Sequence, residues 1–143
     1  MIRPMTAADL DAVLVLEALG FSDPWPREAF QEGLDDPAQH YLVVEQGGAV
    51  VGCMGTIRLA DHRVHALTIT IHPDWRRRGL GRRLLAAALQ QARDWGARSF
   101  TLEVRVGNTA ARNFYRTFDA VTLKRLRRYY RDGEDALLLS LPL

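Results

Sequence analysis

The chain lacks the features that mark secreted, membrane-spanning and disulfide-stabilised proteins. Its 143 residues contain one cysteine, Cys53, so no disulfide can form within the chain and a reducing compartment is expected. No apolar run approaches the ~20 residues that a helix needs to cross a bilayer. No apolar stretch or small-residue cleavage site follows Arg3, so we expect no signal peptide and a cytoplasmic location.

The remaining composition is that of a globular domain. Apolar residues make up 48% of the chain and charged residues 25%, and the length is sufficient to bury a hydrophobic core. No internal repeat, linker or low-complexity segment divides the sequence. We therefore predict one domain that covers residues 1–143.

Arginine is abundant and unevenly distributed, although the formal net charge is only +2. Clusters of arginine occupy residues 76–78, 82–83 and 125–131. Such runs either form solvated surface or attract phosphates and carboxylates. The first cluster lies at the junction of a predicted strand and a predicted helix, which favours the second interpretation.

Hydrophobic periodicity and turn residues divide the chain into helices and strands. Thr6 and Asp9 form a helix start of the capping-box type, and Gly47-Gly48 predicts a hairpin turn. Apolar residues recur at helical spacing after Gly79, and Gly96 is a typical helix end. Helices are predicted over residues 7–19, 27–34, 79–95 and 110–118, and strands over residues 41–44, 50–59, 63–71, 99–106, 121–130 and 136–141. This order predicts an α+β fold around one mainly antiparallel sheet.

The junction between the third strand and the long helix predicts a polyphosphate-binding site. A β-branched strand ends at Ile71, a short basic loop follows, and the helix begins at Gly79 and Gly81. The first N–H groups of a helix have no intrahelical partner and carry partial positive charge. Glycines let a pyrophosphate approach these groups closely, and the arginines add full charges.

Two common phosphate-binding motifs do not fit this segment. The P-loop requires Lys and then Ser or Thr after its second glycine, whereas Arg82 and Arg83 follow Gly81. The dinucleotide-binding fingerprint requires a third glycine or alanine where this chain has Leu84, and no parallel βαβ pattern surrounds it.

The pattern Arg76-x-x-Gly79-x-Gly81, preceded by His72-Pro73-x-Trp75, resembles the coenzyme A signature of the GNAT superfamily of N-acetyltransferases. The resemblance implies the GNAT fold, a single mixed, mainly antiparallel, twisted sheet flanked by helices on both faces. It implies that acetyl-CoA lies between two splayed central strands, one of which carries a bulge. The residues expected to bind acetyl-CoA are Ile69, Thr70, Ile71, Arg76, Arg77, Arg78, Gly79, Leu80, Gly81, Arg82, Asn108 and Ala111. Among them, the freed N–H of Ile71 is expected to bind the thioester oxygen.

A second motif, Leu102-Glu103-Val104-Arg105, precedes a short helix with Asn108, Ala111 and Tyr115. By residue type alone, Glu103 is either a solvent-facing acid or a catalytic base, and Tyr115 is either a core aromatic or a proton donor. The arrangement resembles that of bacterial ribosomal-protein-alanine N-acetyltransferases. That resemblance implies that Glu103 accepts the proton of the amine and that Tyr115 protonates the departing thiolate.

The resemblance to this subgroup runs nearly end to end and implies a protein N-terminus as acceptor, with a ribosomal protein as one candidate. Trp25, Tyr129 and Tyr130 are the expected acceptor-binding residues, although Trp25 equally fits a core or rim position. Three departures lie near the expected acceptor groove: Asp119-Ala120 replaces the usual Gly-Phe, Thr68 replaces Asn or Glu, and Pro26 replaces Ser. We expect the loss of the glycine to change the helix exit.

Other functions remain compatible with the sequence. One is acetylation of a small-molecule amine on the same fold, and another is a non-catalytic acyl-CoA- or RNA-binding module that uses the arginines. No metal is expected, because the four histidines show no ligand spacing and most are interpreted as surface or packing residues. We expect no membrane or DNA partner, and a monomer or weak dimer.

Overall fold

A seven-stranded sheet forms the centre of the computed structural model, which describes residues 1–143. The strands are β1 (Ile2–Pro4), β2 (Gln39–Gln46), β3 (Ala49–Leu59), β4 (Arg63–Ile71), β5 (Ser99–Arg105), β6 (Val121–Leu126) and β7 (Ala136–Leu141). The helices are α1 (Leu10–Gly20), α2 (Arg27–Asp35), α3 (Leu80–Asp94) and α4 (Thr109–Arg116). The strand order is β1-β2-β3-β4-β5-β7-β6, and all neighbours are antiparallel except β4 and β5. The predicted α+β fold is confirmed.

The two faces of the sheet bury separate hydrophobic clusters. The larger one lies under α3 and α4 and includes Leu84, Leu85 and Phe100, each fully buried. The other lies under α1 and α2. Side chains alternate along β3, so that Cys53 belongs to the second cluster and Met54 to the first. No helix combines the length and the apolar character that crossing a bilayer requires.

Two strand predictions were wrong in detail. β1 was missed, because three residues are too short to show alternation; it is held by pairing with Leu42–Val44. β6 ends at Leu126 and not at Tyr130. Arg128 has a φ of +50°, and its N–H donates to Asp135 Oδ1 at 2.8 Å, which turns the chain out of the ladder. Tyr129 and Tyr130 therefore lie in a loop between β6 and β7.

The chain leaves α4 through a non-glycine residue in the left-handed conformation. Asp119 has a φ of +60°, and its N–H donates to the Arg116 carbonyl at 3.0 Å. The N–H of Ala120 donates to the Tyr115 carbonyl at 3.3 Å. These bonds form the Schellman motif, in which glycine is usual. The expectation of a changed helix exit was therefore wrong: the exit has the glycine-type geometry, and Asp119 carries the backbone strain.

Replacing Asp119 with Gly is expected to stabilise the protein. The left-handed conformation costs an L-residue about 1 kcal/mol, and glycine avoids this cost. Part of the gain is lost, because glycine has more conformational entropy in the unfolded chain. We expect a gain of roughly 0.5 kcal/mol in the free energy of unfolding. Urea denaturation of Asp119→Gly and Asp119→Ala decides this, because the alanine variant keeps the strain and should gain nothing.

Candidate active site

The only parallel pair in the sheet separates partway along its length. β4 and β5 pair at Arg63–His65 with Ser99–Thr101, and no pairing continues beyond His65. β4 also carries a bulge: Thr68 pairs with Gly55 and Ala66 pairs with Thr56, which leaves Leu67 without a partner. The second half of β4 thus faces a gap where β5 would otherwise continue. This agrees with the predicted splaying of two central strands.

The gap is lined by backbone donors that the sheet does not use. The His72 N–H donates to the Val51 carbonyl at 2.8 Å, which sets the alternation of the β3–β4 ladder. By that alternation the backbone N–H groups of Thr68 and Thr70 point toward β3. The backbone N–H groups of Ile69 and Ile71 point toward the gap. These donors can stabilise negative charge on a carbonyl oxygen placed there.

The loop before α3 presents further unpaired donors. None of the backbone N–H groups of residues 77–82 has a hydrogen-bond partner within the protein, and the first bond of the helix runs from Arg83 to Gly79 at 3.1 Å. Arg77 and Gly79 have φ values of +63° and +80°. A Cβ added at Gly81 would lie 3.7 Å or more from every neighbouring atom, so internal packing does not require glycine there. The arrangement fits an anion, such as a pyrophosphate, at the N-terminus of α3.

The arginines of this region have distinct partners. Arg76 Nε donates to the Ile71 carbonyl at 3.0 Å and fixes the end of β4. Arg82 donates to Thr117 Oγ1 at 2.6 Å. The guanidinium of Arg78 lies 4.8 Å from the centroid of the Trp75 ring. Arg76 therefore orders the strand as well as adding charge, which sequence reasoning did not anticipate.

Glu103 lies on β5 just beyond the point where the strands separate. Its Oε2 is 2.7 Å from His65 Nε2, and its Oε1 accepts from the Tyr129 hydroxyl at 3.2 Å. His65 Nδ1 is 2.6 Å from Thr101 Oγ1. A carboxylate only accepts hydrogen bonds, so His65 must donate through Nε2. His65 thus positions the carboxylate, a role that the sequence did not indicate.

The environment of Glu103 favours the ionised carboxylate. Partial burial raises its pKa, but the hydrogen bonds from His65 and Tyr129 and the charge interaction with His65 outweigh that effect, and the pKa lies below its ordinary value. Glu103 is therefore ionised at neutral pH and ready to accept a proton.

Removing the His65 hydrogen bond is expected to raise the pKa of Glu103. In His65→Leu the burial of Glu103 remains while its main stabilising partner is lost. An NMR titration of the Glu103 side-chain carboxyl carbon measures this pKa directly. His62→Leu is the control, since that histidine lies in the β3–β4 turn and makes no contact with Glu103. An unchanged midpoint in His65→Leu would contradict the assigned role.

Asn108 caps α4, and Tyr115 lies within this helix, which packs on the same face of the sheet as α3. Asn108 Oδ1 accepts from the Ala111 N–H at 3.1 Å, which confirms the predicted cap. Tyr115 is 6% exposed and packs in the cluster under α3. Its hydroxyl makes no hydrogen bond within the protein. Tyr115 is thus a core aromatic whose hydroxyl has no protein partner.

Two loops border the face of the sheet that carries Glu103. The β6–β7 loop is held by Arg105, which donates to Asp132 at 2.8 Å and to Glu134 at 2.9 Å and lies 4.0 Å from the Tyr130 ring centroid. In the α1–α2 loop, the side chain of Trp25 is partly buried, and its ring centroid lies 5.4 Å from that of Phe30. An ion pair at 3.6 Å between Arg131 and Asp23 connects the two loops.

The chain matches the family model described as the acetyltransferase (GNAT) family over residues 10–119. The chain belongs to this family. It is 42% identical to the N-alpha-acetyltransferase RimI of Mycobacterium tuberculosis over 145 residues, covering 94% of this chain and 87% of the relative. It is 28% identical to the ribosomal protein bS18-alanine N-acetyltransferase of Escherichia coli over 147 residues, covering 99% and 97%.

Solved structures agree with this assignment. The crystal structure of the ribosomal-protein-S18-alanine N-acetyltransferase from Escherichia coli superposes with a TM-score of 0.90 at 28% identity, covering 99% of this chain and 92% of that one. The GNAT fold is thereby confirmed, and the protein is an acyltransferase. No group of three His, Cys, Asp or Glu side chains is arranged to hold a metal ion.

Proposed function

We propose that residues 1–143 form one N-acetyltransferase domain that transfers the acetyl group of acetyl-CoA to the N-terminal amine of a protein. The observation that carries the proposal is the position of Glu103. This ionised carboxylate lies at the mouth of the β4–β5 gap, whose other wall carries the unpaired N–H groups of Ile69 and Ile71. A base and an oxyanion site thus border one opening.

The residues present fit acetyl-CoA as acyl donor. The unpaired N–H groups of residues 77–82 can bind the pyrophosphate, and the gap between β4 and β5 can take the extended arm that leads to the thioester. Gly79 supports this fit, because no protein atom lies within 4 Å of the position that a Cβ would take there, which leaves room for a ligand.

Glu103 and Tyr115 each carry out one proton transfer. Glu103 takes a proton from the acceptor ammonium, and the neutral nitrogen attacks the thioester carbonyl carbon. The resulting oxyanion is stabilised by the Ile71 N–H. The C–S bond then breaks, the Tyr115 hydroxyl donates its proton to the leaving thiolate, and the nitrogen loses its remaining extra proton to solvent. Proton exchange with solvent restores the Tyr115 hydroxyl and the Glu103 carboxylate. The products are the N-acetylated acceptor and coenzyme A.

The acceptor assignment rests on the relatives and on the loops. Two relatives are named for the alanine of ribosomal protein bS18 or for N-alpha-acetylation, and the aligned regions include both loops beside Glu103. Tyr129, Tyr130 and Trp25 border this face and can hold an extended N-terminal segment. We propose a ribosomal protein as acceptor and the cytoplasm as the place of reaction; a monomer or weak dimer stays a prediction.

Coenzyme A thiol release by the purified protein tests the function. Short peptides with free Ala, Ser or Met N-termini are compared with their N-acetylated forms, free lysine and spermidine. Turnover that requires a free peptide N-terminus supports the proposal. Turnover with spermidine alone would keep the acetyltransferase and replace the acceptor, and absence of turnover with every amine would contradict the proposed reaction.

A further inference from the structure

Glu17 is a buried carboxyl group that the proposed chemistry does not use. It lies in the last turns of α1 and is 2% exposed. No Lys, Arg or His nitrogen lies within 4.0 Å of it. The Thr68 hydroxyl donates to its Oε2 at 3.2 Å. A buried carboxyl without a cation is costly as an anion, and burial raises the pKa of Glu17.

The partners of Glu17 belong to the two sides of the active site. Thr68 is the first residue of β4 after the bulge and precedes Ile69, whose N–H faces the β4–β5 gap. The α1–α2 loop begins at the end of the same helix, where the Phe21 N–H donates to the Glu17 carbonyl at 3.0 Å. Glu17 therefore connects the start of the loop that borders the acceptor side to the strand that carries the oxyanion donors.

A second contact supports the same connection. At Gly20, the last residue of α1, a Cβ would lie 2.6 Å from Thr70 Oγ1. The end of the helix therefore lies so close to β4 that any side chain at position 20 would require Thr70 or the helix to move. The Glu17–Thr68 bond and the Gly20–Thr70 contact together hold the end of α1 against the strand segment beyond the bulge.

We propose that Glu17 is a positioning residue for the acceptor: through Thr68 it holds the end of α1, and with it the α1–α2 loop (residues 21–26), in register with β4. The role rests on the proposed function, since the loop is assigned to the acceptor. Glu17 is not a second base. The groups whose pKa it influences are Tyr41 and Cys53 of the apolar cluster under α1, whereas Glu103 is bonded to His65 and Tyr129.

Paired variants at each end of the hydrogen bond test the proposal. Glu17→Gln keeps the shape and the hydrogen bonds without the acid, and Glu17→Leu removes them. Thr68→Ser keeps the hydroxyl, and Thr68→Val removes it at nearly constant volume. KM for a free N-terminal peptide, kcat and the Kd of acetyl-CoA are measured for all four, with hydrogen exchange of residues 21–26 and the thermal midpoint.

We expect Glu17→Leu and Thr68→Val to raise the peptide KM about tenfold, because one buried hydrogen bond is worth roughly that factor. Exchange of residues 21–26 should rise by a similar factor, while kcat and the Kd of acetyl-CoA stay within about twofold. Glu17→Gln and Thr68→Ser should match the wild type. If Glu17→Leu does not fold, the Thr68 pair still gives the comparison.

Two results would overturn the role. One is a loss of kcat in Glu17→Gln at unchanged KM, which would make the carboxyl part of the chemistry. The other is unchanged loop exchange in Thr68→Val. Failure of the proposed function gives a different pattern: the wild type would acetylate no peptide, while the exchange measurements would still report whether Glu17 holds the loop.

Discussion

Glu103→Gln is expected to lower kcat for a peptide acceptor by about 10²–10⁴-fold, the range typical of a lost general base. The amide has the size of the carboxylate and still accepts a hydrogen bond from Tyr129 or His65, so the geometry is retained. It cannot take a proton from the ammonium group. Initial rates of coenzyme A release at saturating acetyl-CoA and peptide measure the effect.

The control for this substitution is Glu28→Gln in the exposed first turn of α2, which should keep full activity. The Kd of acetyl-CoA should be unchanged in Glu103→Gln, because the N–H groups proposed to bind its phosphates lie in residues 77–82. Raising the pH should recover part of the lost rate, since the acceptor amine then loses its proton to solvent. Near-wild-type turnover at neutral pH would remove Glu103 from the mechanism.

The unpaired N–H groups before α3 could be predicted from sequence because their determinants are local. The helix N-terminus, the glycines and the arginines lie within residues 76–83, and backbone geometry alone directs their N–H groups outward. The Gly47-Gly48 hairpin is local in the same way and is confirmed, with φ values of +58° and +81°. The assignment of bound acetyl-CoA to this segment stays a prediction.

The partners of the carboxyl groups could not be predicted, because they depend on strand register between distant residues. His65 meets Glu103 across 38 positions of sequence, through a parallel pairing that only three residue pairs establish. Glu17 meets Thr68 across 51 positions, between a helix and a strand that has a bulge. A register shift of one residue in either element would separate these groups. Hydrophobic periodicity in the sequence does not reveal such a shift.

Tyr115→Phe is expected to lower kcat by about 100-fold, at the weak end of the range for a general acid. The leaving group is a thiolate. Because the reference pKa of a thiol is about 8.5, the thiolate can leave without being protonated. Burial raises the pKa of Tyr115 well above its ordinary value, so the hydroxyl keeps its proton throughout the neutral and mildly alkaline range. Tyr115 therefore holds a proton that it can donate there, but the raised pKa makes it a weak acid, which is consistent with an effect at the weak end of the range.

The protonated state of Tyr115 determines the expected pH dependence of kcat. A group with a raised pKa loses its proton only at high pH, so the wild-type kcat should show no alkaline decline across neutral and mildly alkaline pH. Folding should be unaffected in Tyr115→Phe, because the hydroxyl has no partner within the protein and the ring keeps its place in the core. Tyr41→Phe is the matched control, since that buried hydroxyl donates to Gln39 at 2.8 Å on the opposite face. If the two variants lose the same small factor in kcat, thiolate departure needs no proton from Tyr115. The Ile71 N–H and the loop of residues 77–82 must then stabilise the transition state alone.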